Sequence, residues 1–396
     1  MSEAFIAGAV RTPVANFNGS LAQLPATRLG AIVIEEAVKR PGISPGSVDC
    51  VYMSAALCAG LGAAPARRAA LEAGLPNSVK TVLVTGGPAS SLQTVLFALA
   101  EVSSGGADIV IAGGMESVSK SPYLLEKARF GYRHGNGELI DSIINDGLKD
   151  SYGGFHIGES AETVAARYGI GRTEQDLWAG KSCSKAIEAM KKGVFDREIA
   201  PIMIPVGPDR FASVNSDEGP QKHETLRLST IPPLFKDGGT VTSGNSSGIS
   251  DGAAAVSVIS AGALKRFGVT PVARVIGAAS AGVEPEMFSV APYEAVRKLL
   301  KKTGLKVKDI DLFEINEDFA VSTLAIIKEA GIDGEKVNVA GGAIALGNPL
   351  GASGARVLTT LVHAMAARGA KRGVAAASSV GGLAVALLVE RVEGPL

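Results

Sequence analysis

The chain is poor in several residue types, and each shortage excludes something. Aromatic side chains make up only 5% of its 396 residues, and there is a single tryptophan. Cysteine occurs three times, at Cys50, Cys58 and Cys183. An odd count with no C-x-x-C pair argues against a disulfide framework or a thiolate zinc site, and for a reducing compartment. The four histidines, His134, His156, His223 and His363, show no metal-ligand spacing. Neither sign of charge is in excess, with 39 Lys and Arg against 39 Asp and Glu. Electrostatics therefore points to no nucleic acid and no membrane surface as partner. No uninterrupted apolar run reaches the ~20 residues of a bilayer span. The opening M-S-E-A-F-I-A-G-A-V has neither the basic region nor the apolar core of a secretory signal. These exclusions leave a soluble cytoplasmic protein as the expectation.

What is present is small and apolar. Hydrophobic residues make up 46% of the chain and glycine occurs 49 times, enough for a large, tightly packed core. Strand-like runs are expected at Thr81–Val84, Ile109–Ala112, Val272–Ala278, Ile310–Ile315 and Val374–Ala377. Helical patterns are expected at Leu29–Lys39, Ser91–Glu101, Ser160–Tyr168, Glu174–Lys191, Pro292–Lys302 and Ala355–Ala367. Their alternation predicts an α/β fold. Two long-range echoes add a duplication. Residues 36–53 and 294–315 both read as a helix, a glycine stop and a strand entered through an apolar-Asp pair, so that Gly42 matches Gly304 and Asp49 matches Asp311. Residues 91–114 echo 353–378 in the same order. The segment 118–250 is more polar and richer in Gly, Pro and Lys, the texture of an inserted lobe.

Three motifs hold the candidate chemistry. G-G-A-I-A-L-G-N-P-L-G-A-S-G-A-R (341–356) forces tight loops and close backbone approach ahead of a helix. N-E-D-F-A (316–320) follows a strand end, where α/β folds gather function. Read alone, Asn316 there is a helix N-cap. N-S-S-G-I-S-D-G-A-A-A (245–255) is a polar loop feeding a buried strand, able to bind a phosphate or pantetheine arm or to satisfy its own turn. His156, in G-G-F-H-I-G, reads alone as structural. No nucleophile elbow, Walker loop or dinucleotide fingerprint is present.

Taken with R-T-P (11–13), G-S-L (19–21), G-L-G-A-A-P-A-R-R-A-A-L-E-A-G-L-P (60–76) and A-G-G-M-E-S-V-S (112–119), these motifs resemble the thiolases in order along the whole chain. The likeness is to the biosynthetic acetyl-CoA acetyltransferases in particular. It implies the thiolase fold, two duplicated five-stranded α/β halves in an αβαβα arrangement plus a loop domain. The expected division is 1–117 with 251–270, then a loop domain 118–250 that covers the ligand and serves oligomerisation, then 271–396. A dimer or tetramer is implied, with a coenzyme A thioester as substrate or ligand and no permanently bound cofactor.

The resemblance also exposes departures. Thiolases capture an acyl group on a cysteine at a helix N-terminus, shuttle the α-proton with a second cysteine and polarise the thioester oxygen with a histidine. In this chain Pro88 stands at the nucleophile, Asn348 at the histidine and Ser378 at the second cysteine, while Val380 replaces a glycine. Proline removes both the thiol and an N–H that helps bind the oxyanion, yet suits the first turn of a helix. Asn316 matches the asparagine that holds a water in an oxyanion hole. His156, Phe235, Ser247 and Phe319 match positions lining the CoA arm and acyl pocket. Asp318, where the family has alanine, is a candidate general base or an ion-paired structural residue. Ser90 and Ser91 lack an adjacent base. Three readings follow: an enzyme acting on an acyl-CoA without an acyl-cysteine, a non-catalytic subunit of a larger assembly with a thiolase-like or accessory partner, or a thiolase whose nucleophile is displaced to Cys58.

Overall fold

A computed structural model describes residues 3–223 and 227–392; the side chain of His223 and the last four residues of the C-terminal half lie outside the described part. The backbone is organised by one ten-stranded sheet. Its long strands are β1 (Ala4–Arg11), β2 (Cys50–Ala55), β3 (Lys80–Thr85), β4 (Ile109–Glu116), β5 (Ser250–Ser260), β6 (Ala273–Gly282), β7 (Leu312–Ile315), β8 (Arg372–Ser379) and β9 (Leu383–Arg391). They lie in the order β7-β8-β9-β6-β1-β5-β4-β2-β3, and the short strand Ala15–Asn16 pairs with β5.

This order repeats itself. In one half β2 runs parallel to β3 and β4, after which β4–β5 and β5–β1 are antiparallel. In the other half β7–β8 is parallel, and β8–β9 and β9–β6 are antiparallel. Val337 bridges in parallel to Phe313 at the edge that β3 occupies in the first half. The two halves meet where Phe5 and Ile6 of β1 face Arg274 and Ala273 of β6.

The echoed residues do the same work twice. The Asp49 carboxylate accepts the backbone N–H groups of Asp108 and Ile109 at 2.8 and 3.0 Å. The Asp311 carboxylate accepts those of Lys371 and Arg372 at 2.8 and 2.9 Å. Each aspartate thus fixes the start of the neighbouring parallel strand. The strand β7 begins at Leu312 rather than at Ile310, although the Asp311 N–H already donates to the Arg372 carbonyl of β8 at 3.0 Å.

Helices complete the layers: α1 (Ala26–Lys39), α2 (Pro65–Glu72), α3 (Ser90–Ser104), α4 (Ile157–Tyr168), α5 (Arg172–Lys191), α6 (Ala291–Thr303), α7 (Ala320–Ala330) and α8 (Ser353–Arg368). Alternation along the strands decides which face each residue serves. Val110 and Ala112 of β4, with Ala375 and Ala377 of β8, pack on the central pair α3 and α8. Ile109 and Ile111 turn the other way, onto α1 and α2. Val374 and Ala376 face α6, α7 and the helices of the inserted lobe. Both halves of the sheet therefore press on the same two central helices. Gly354 permits their closest approach: a Cβ there would meet the Pro88 carbonyl oxygen and the Leu92 side chain.

Leu358 of α8 is fully buried in this central layer. Leu358→Ala is expected to lower stability by about 2–5 kcal/mol, read as a fall in urea midpoint. Leu177→Ala, at an exposed site on α5, is expected to change it by no more than about 0.5 kcal/mol.

Candidate active site

The turn 86–89 carries the central question of the site. Ser90 N–H donates to the Gly87 carbonyl at 2.9 Å, which places Pro88 at the second position of a β-turn, where its fixed φ fits and its missing N–H costs nothing. The helix itself begins at Ser90. Pro88 therefore precedes the first helical turn expected for it, by a margin set by this extra hydrogen bond. Ala89 N–H is taken by the Ser378 carbonyl at 3.2 Å and the Ser379 hydroxyl at 3.0 Å. With no N–H at 88 and those of 89 and 90 bonded internally, these three positions present no free backbone donor. Ser90 donates its hydroxyl to the Gly86 and Gly87 carbonyls, and Ser91 Oγ accepts from Ala355 N–H at 3.0 Å. Both serines are structural.

Pro88 looks into a cavity of about 430 Å³. Asp318, Asn348, His156, Phe235, Ser247 and Phe319 share its wall, along with Val380. Among the described residues no cysteine borders it. Asn316 and Ser378, by contrast, are not part of the lining. Both are almost wholly buried, behind Asp318. Ser378, which stands at the second-cysteine position, is next to the last residue of β8 and is set back from the cavity wall.

Asp318 is the centre of the polar network. Its Oδ1 accepts the side-chain amides of Asn316 at 2.8 Å and Asn348 at 3.0 Å. Asn348 Nδ2 also reaches Ser247 Oγ at 3.1 Å, so both of its amide hydrogens have acceptors. Burial pushes the Asp318 carboxyl up to about 7, against the pull of the amide donors, the nearby Ser378 hydroxyl and the Arg356 charge. Among the described residues Ser378 Oγ and Asn316 Oδ1 nonetheless have no hydrogen-bond partner. The Ser378 contact is thus electrostatic proximity rather than a formed bond. Asn316 does not cap α7, as its sequence context suggests, because that helix starts at Ala320 and its amide is drawn to Asp318 instead.

The loop 316–319 alternates its allegiance. Glu317 points away from the cavity, accepting from Trp178 Nε1 at 2.6 Å, Ser182 Oγ at 2.7 Å and Ile344 N–H at 3.1 Å. It ties α5 of the inserted lobe to the site. Phe319 meets Phe235 edge-on at 6.3 Å, and Phe235 stacks on His156 at 4.9 Å. His156 caps α4 by accepting Gly158 N–H on Nδ1, and burial lowers its basicity. The histidine is both structural and part of the cavity wall. Sequence reasoning missed Glu317 and Ser353. Glu317 sits between Asn316 and Asp318 in a polar strand-end motif, and nothing in the sequence shows that its carboxylate turns the other way.

Cys58 lines a separate cavity of about 650 Å³, on the far side of Gly86, Gly87 and Val380. Its Sγ lies 3.5 Å from the Ala55 carbonyl and 3.7 Å from Thr85 Oγ1, and burial raises its pKa. No basic group among the described residues is hydrogen-bonded to it. Among the described residues no cluster of three or more His, Cys, Asp or Glu is placed to hold a metal ion, and no helix is long and apolar enough to cross a membrane.

Comparison with known proteins agrees with this architecture. The family models described as thiolase N-terminal domain and thiolase C-terminal domain match residues 4–262 and 269–391. An acetyl-CoA acetyltransferase of Chromobacterium violaceum is 46% identical over 98% of this chain and 100% of its own length. Another, from Cupriavidus necator, is 45% identical over 99% and 100%. The crystal structure of the Bacillus anthracis acetyl-CoA acetyltransferase superposes with a TM-score of 0.95 at 37% identity, covering 99% of each chain.

The raised carboxyl gives a signed expectation. A free aspartate titrates near ~3.9 and folded Asp318 near about 7, so between these values the folded state holds the extra proton. Its contribution to stability is intact at low pH and is lost as pH rises through that window, by about 1.4 kcal/mol per unit. Asp318→Asn does not titrate. Its stability relative to the parent protein should therefore rise between pH 5 and pH 8, measured as paired urea midpoints.

Proposed function

The chain belongs to the thiolase family of acyltransferases, and from that premise we propose that it binds an acyl-CoA thioester in the cavity beside Asp318 and works on it without an acyl-cysteine. The observation that carries this reading is the pairing of Pro88 with Asp318 across one cavity. The position suited to covalent capture offers no thiol and no free N–H, while a carboxyl with pKa about 7 faces the same space.

A carboxyl poised near neutrality is matched to proton transfer. Ionised Asp318 takes an α-proton from the thioester, the electron pair passing to the thioester oxygen as an enolate. In its protonated form it returns a proton to carbon. Asn348 is the side-chain amide on the cavity wall beside it, and its donor hydrogens are released toward the new negative charge as the carboxylate loses its own. Phe235, Phe319 and His156 supply the flat apolar flank for the CoA arm. Such a site supports C–C bond chemistry or hydrolysis of an acyl-CoA in which the acyl group remains on CoA until the bond-making step.

A second reading has its own observation. In the resting site the Asn316 and Asn348 amides are already bonded to Asp318, so no strong donor waits for a substrate oxygen. That arrangement suits a non-catalytic subunit that stabilises an active partner. Cys58 as a displaced nucleophile has no such support.

The test is hydrogen exchange at the acyl α-carbon. Acetyl-CoA and acetoacetyl-CoA incubated with the protein in deuterium oxide should gain deuterium, read by mass spectrometry. Asp318→Asn should slow the gain by about 100-fold or more. No gain across an acyl-CoA panel, with a second polypeptide co-purifying from the native cell, would establish the subunit reading instead.

A further inference from the structure

Asn348 is held by its backbone, but its side-chain amide has two ways to lie. Its N–H donates to the Gly248 carbonyl at 3.0 Å and Ser250 Oγ at 3.2 Å, which fixes the residue. Rotating the amide by half a turn exchanges Oδ1 and Nδ2 with almost no change in volume. What matters for the site is which atom faces the cavity, since Nδ2 is a donor and Oδ1 an acceptor.

Four side chains surround that amide. Ser247, at 3.1 Å, has a hydroxyl that donates or accepts and is indifferent to the choice. Asn316 Nδ2 is 3.5 Å from Oδ1, at the limit of a bond. Asp318 favours Nδ2 inward while it is ionised, because a carboxylate repels a carbonyl oxygen. Once protonated, it can donate, and its preference disappears. Ser353 is the remaining neighbour. It lies in the first turn of α8, is fully buried, and donates to Asn348 Oδ1 at 2.6 Å, with the Pro349 carbonyl as an alternative acceptor at 3.0 Å.

We propose that Ser353 is the positioning residue that keeps the Asn348 amide donor turned toward the cavity after Asp318 has taken its proton. That is the moment at which a substrate oxygen carries negative charge and needs a donor. While Asp318 is ionised the same hydrogen bond polarises the amide and strengthens its grip on Oδ1, since chained hydrogen bonds reinforce one another. Ser353 thus acts at both stages through Asn348 without touching the cavity, whose lining does not include it. The inference rests on reading Asp318 as the proton-transfer group. The other charged or titratable groups bearing on that carboxyl are Arg356 of α8, which favours the anion, and His156 at the start of α4, across the cavity; Glu317 is turned away into its bonds with α5.

The experiment follows the Asp318 carboxyl carbon by NMR through a pH titration in 13C-labelled protein, with Asp318→Asn identifying the signal. Ser353→Ala removes the donor and Ser353→Thr retains a hydroxyl. Losing one hydrogen bond in the chain weakens the hold on the anion about tenfold, a rise of about one pH unit in the midpoint, and Ser353→Thr should restore it. Neutron diffraction of crystals below the midpoint should show Nδ2 facing Asp318 alone in the parent protein and a mixture of the two amide orientations in Ser353→Ala. If Ser353→Ala lowers thermal stability but leaves both midpoint and amide orientation as they were, the residue is structural and the proposal is overturned. Both readouts are taken without substrate. A failed proton-exchange assay therefore leaves this result standing, and a null result here leaves that assay untouched.

Discussion

One carboxylate oxygen, Oδ1 of Asp318, gathers two side-chain amides, and the inner end of the cavity is arranged around that convergence. A buried acid costs free energy unless it is neutralised or hydrogen-bonded. Here burial alone would drive the carboxyl far toward its neutral form, and the donors bring it back to about 7. The balance connects two otherwise separate features: the amide at 348 and the serine of α8 held against its far side.

Alternation along residues 316–319 distributes the loop among its three neighbours. Asn316 and Asp318 share the polar network, Glu317 anchors the inserted lobe through Trp178 and Ser182, and Phe319 continues the aromatic flank. The strand β7 that delivers this loop is in turn started by Asp311, and the helix that carries Ser353 packs against α3, where Gly354 meets the turn of Pro88. The site therefore sits where the duplicated halves touch each other, and its geometry is a consequence of the central helix pair. The Pro88 turn keeps its shape because its carbonyl accepts from Gly354 N–H at 3.0 Å, a bond that needs no side chain at position 88.

Much of this was legible in the residues. The matched Gly42 and Gly304, with φ of 75° and 71°, and the matched Asp49 and Asp311 recorded the duplication, because a glycine stop and a strand-capping aspartate are local requirements that sequence shows directly. The candidate residues drawn from the motifs are brought to one place, though in two groups: Pro88, Asp318, Asn348, His156, Phe235, Ser247 and Phe319 border the cavity, and Asn316 and Ser378 stand behind it. That division depends on which way a strand end twists and on what packs over it, and no spacing rule contains it. Ser353 escaped notice for a related reason. In G-N-P-L-G-A-S-G-A-R it reads as a helix-start serine, and only the folded loop brings its hydroxyl to the Asn348 amide. The Asn316 cap was a fair local reading that lost to a longer-range partner, a carboxylate two residues on.

The central claim is that no acyl group is captured covalently beside position 88. Intact-mass spectrometry after rapid mixing with acetyl-CoA, quenched in acid over the time course of any turnover, measures this directly. Unmodified protein at every time point is the result the account predicts. An acetylated species that forms and decays at the rate of product release would contradict it.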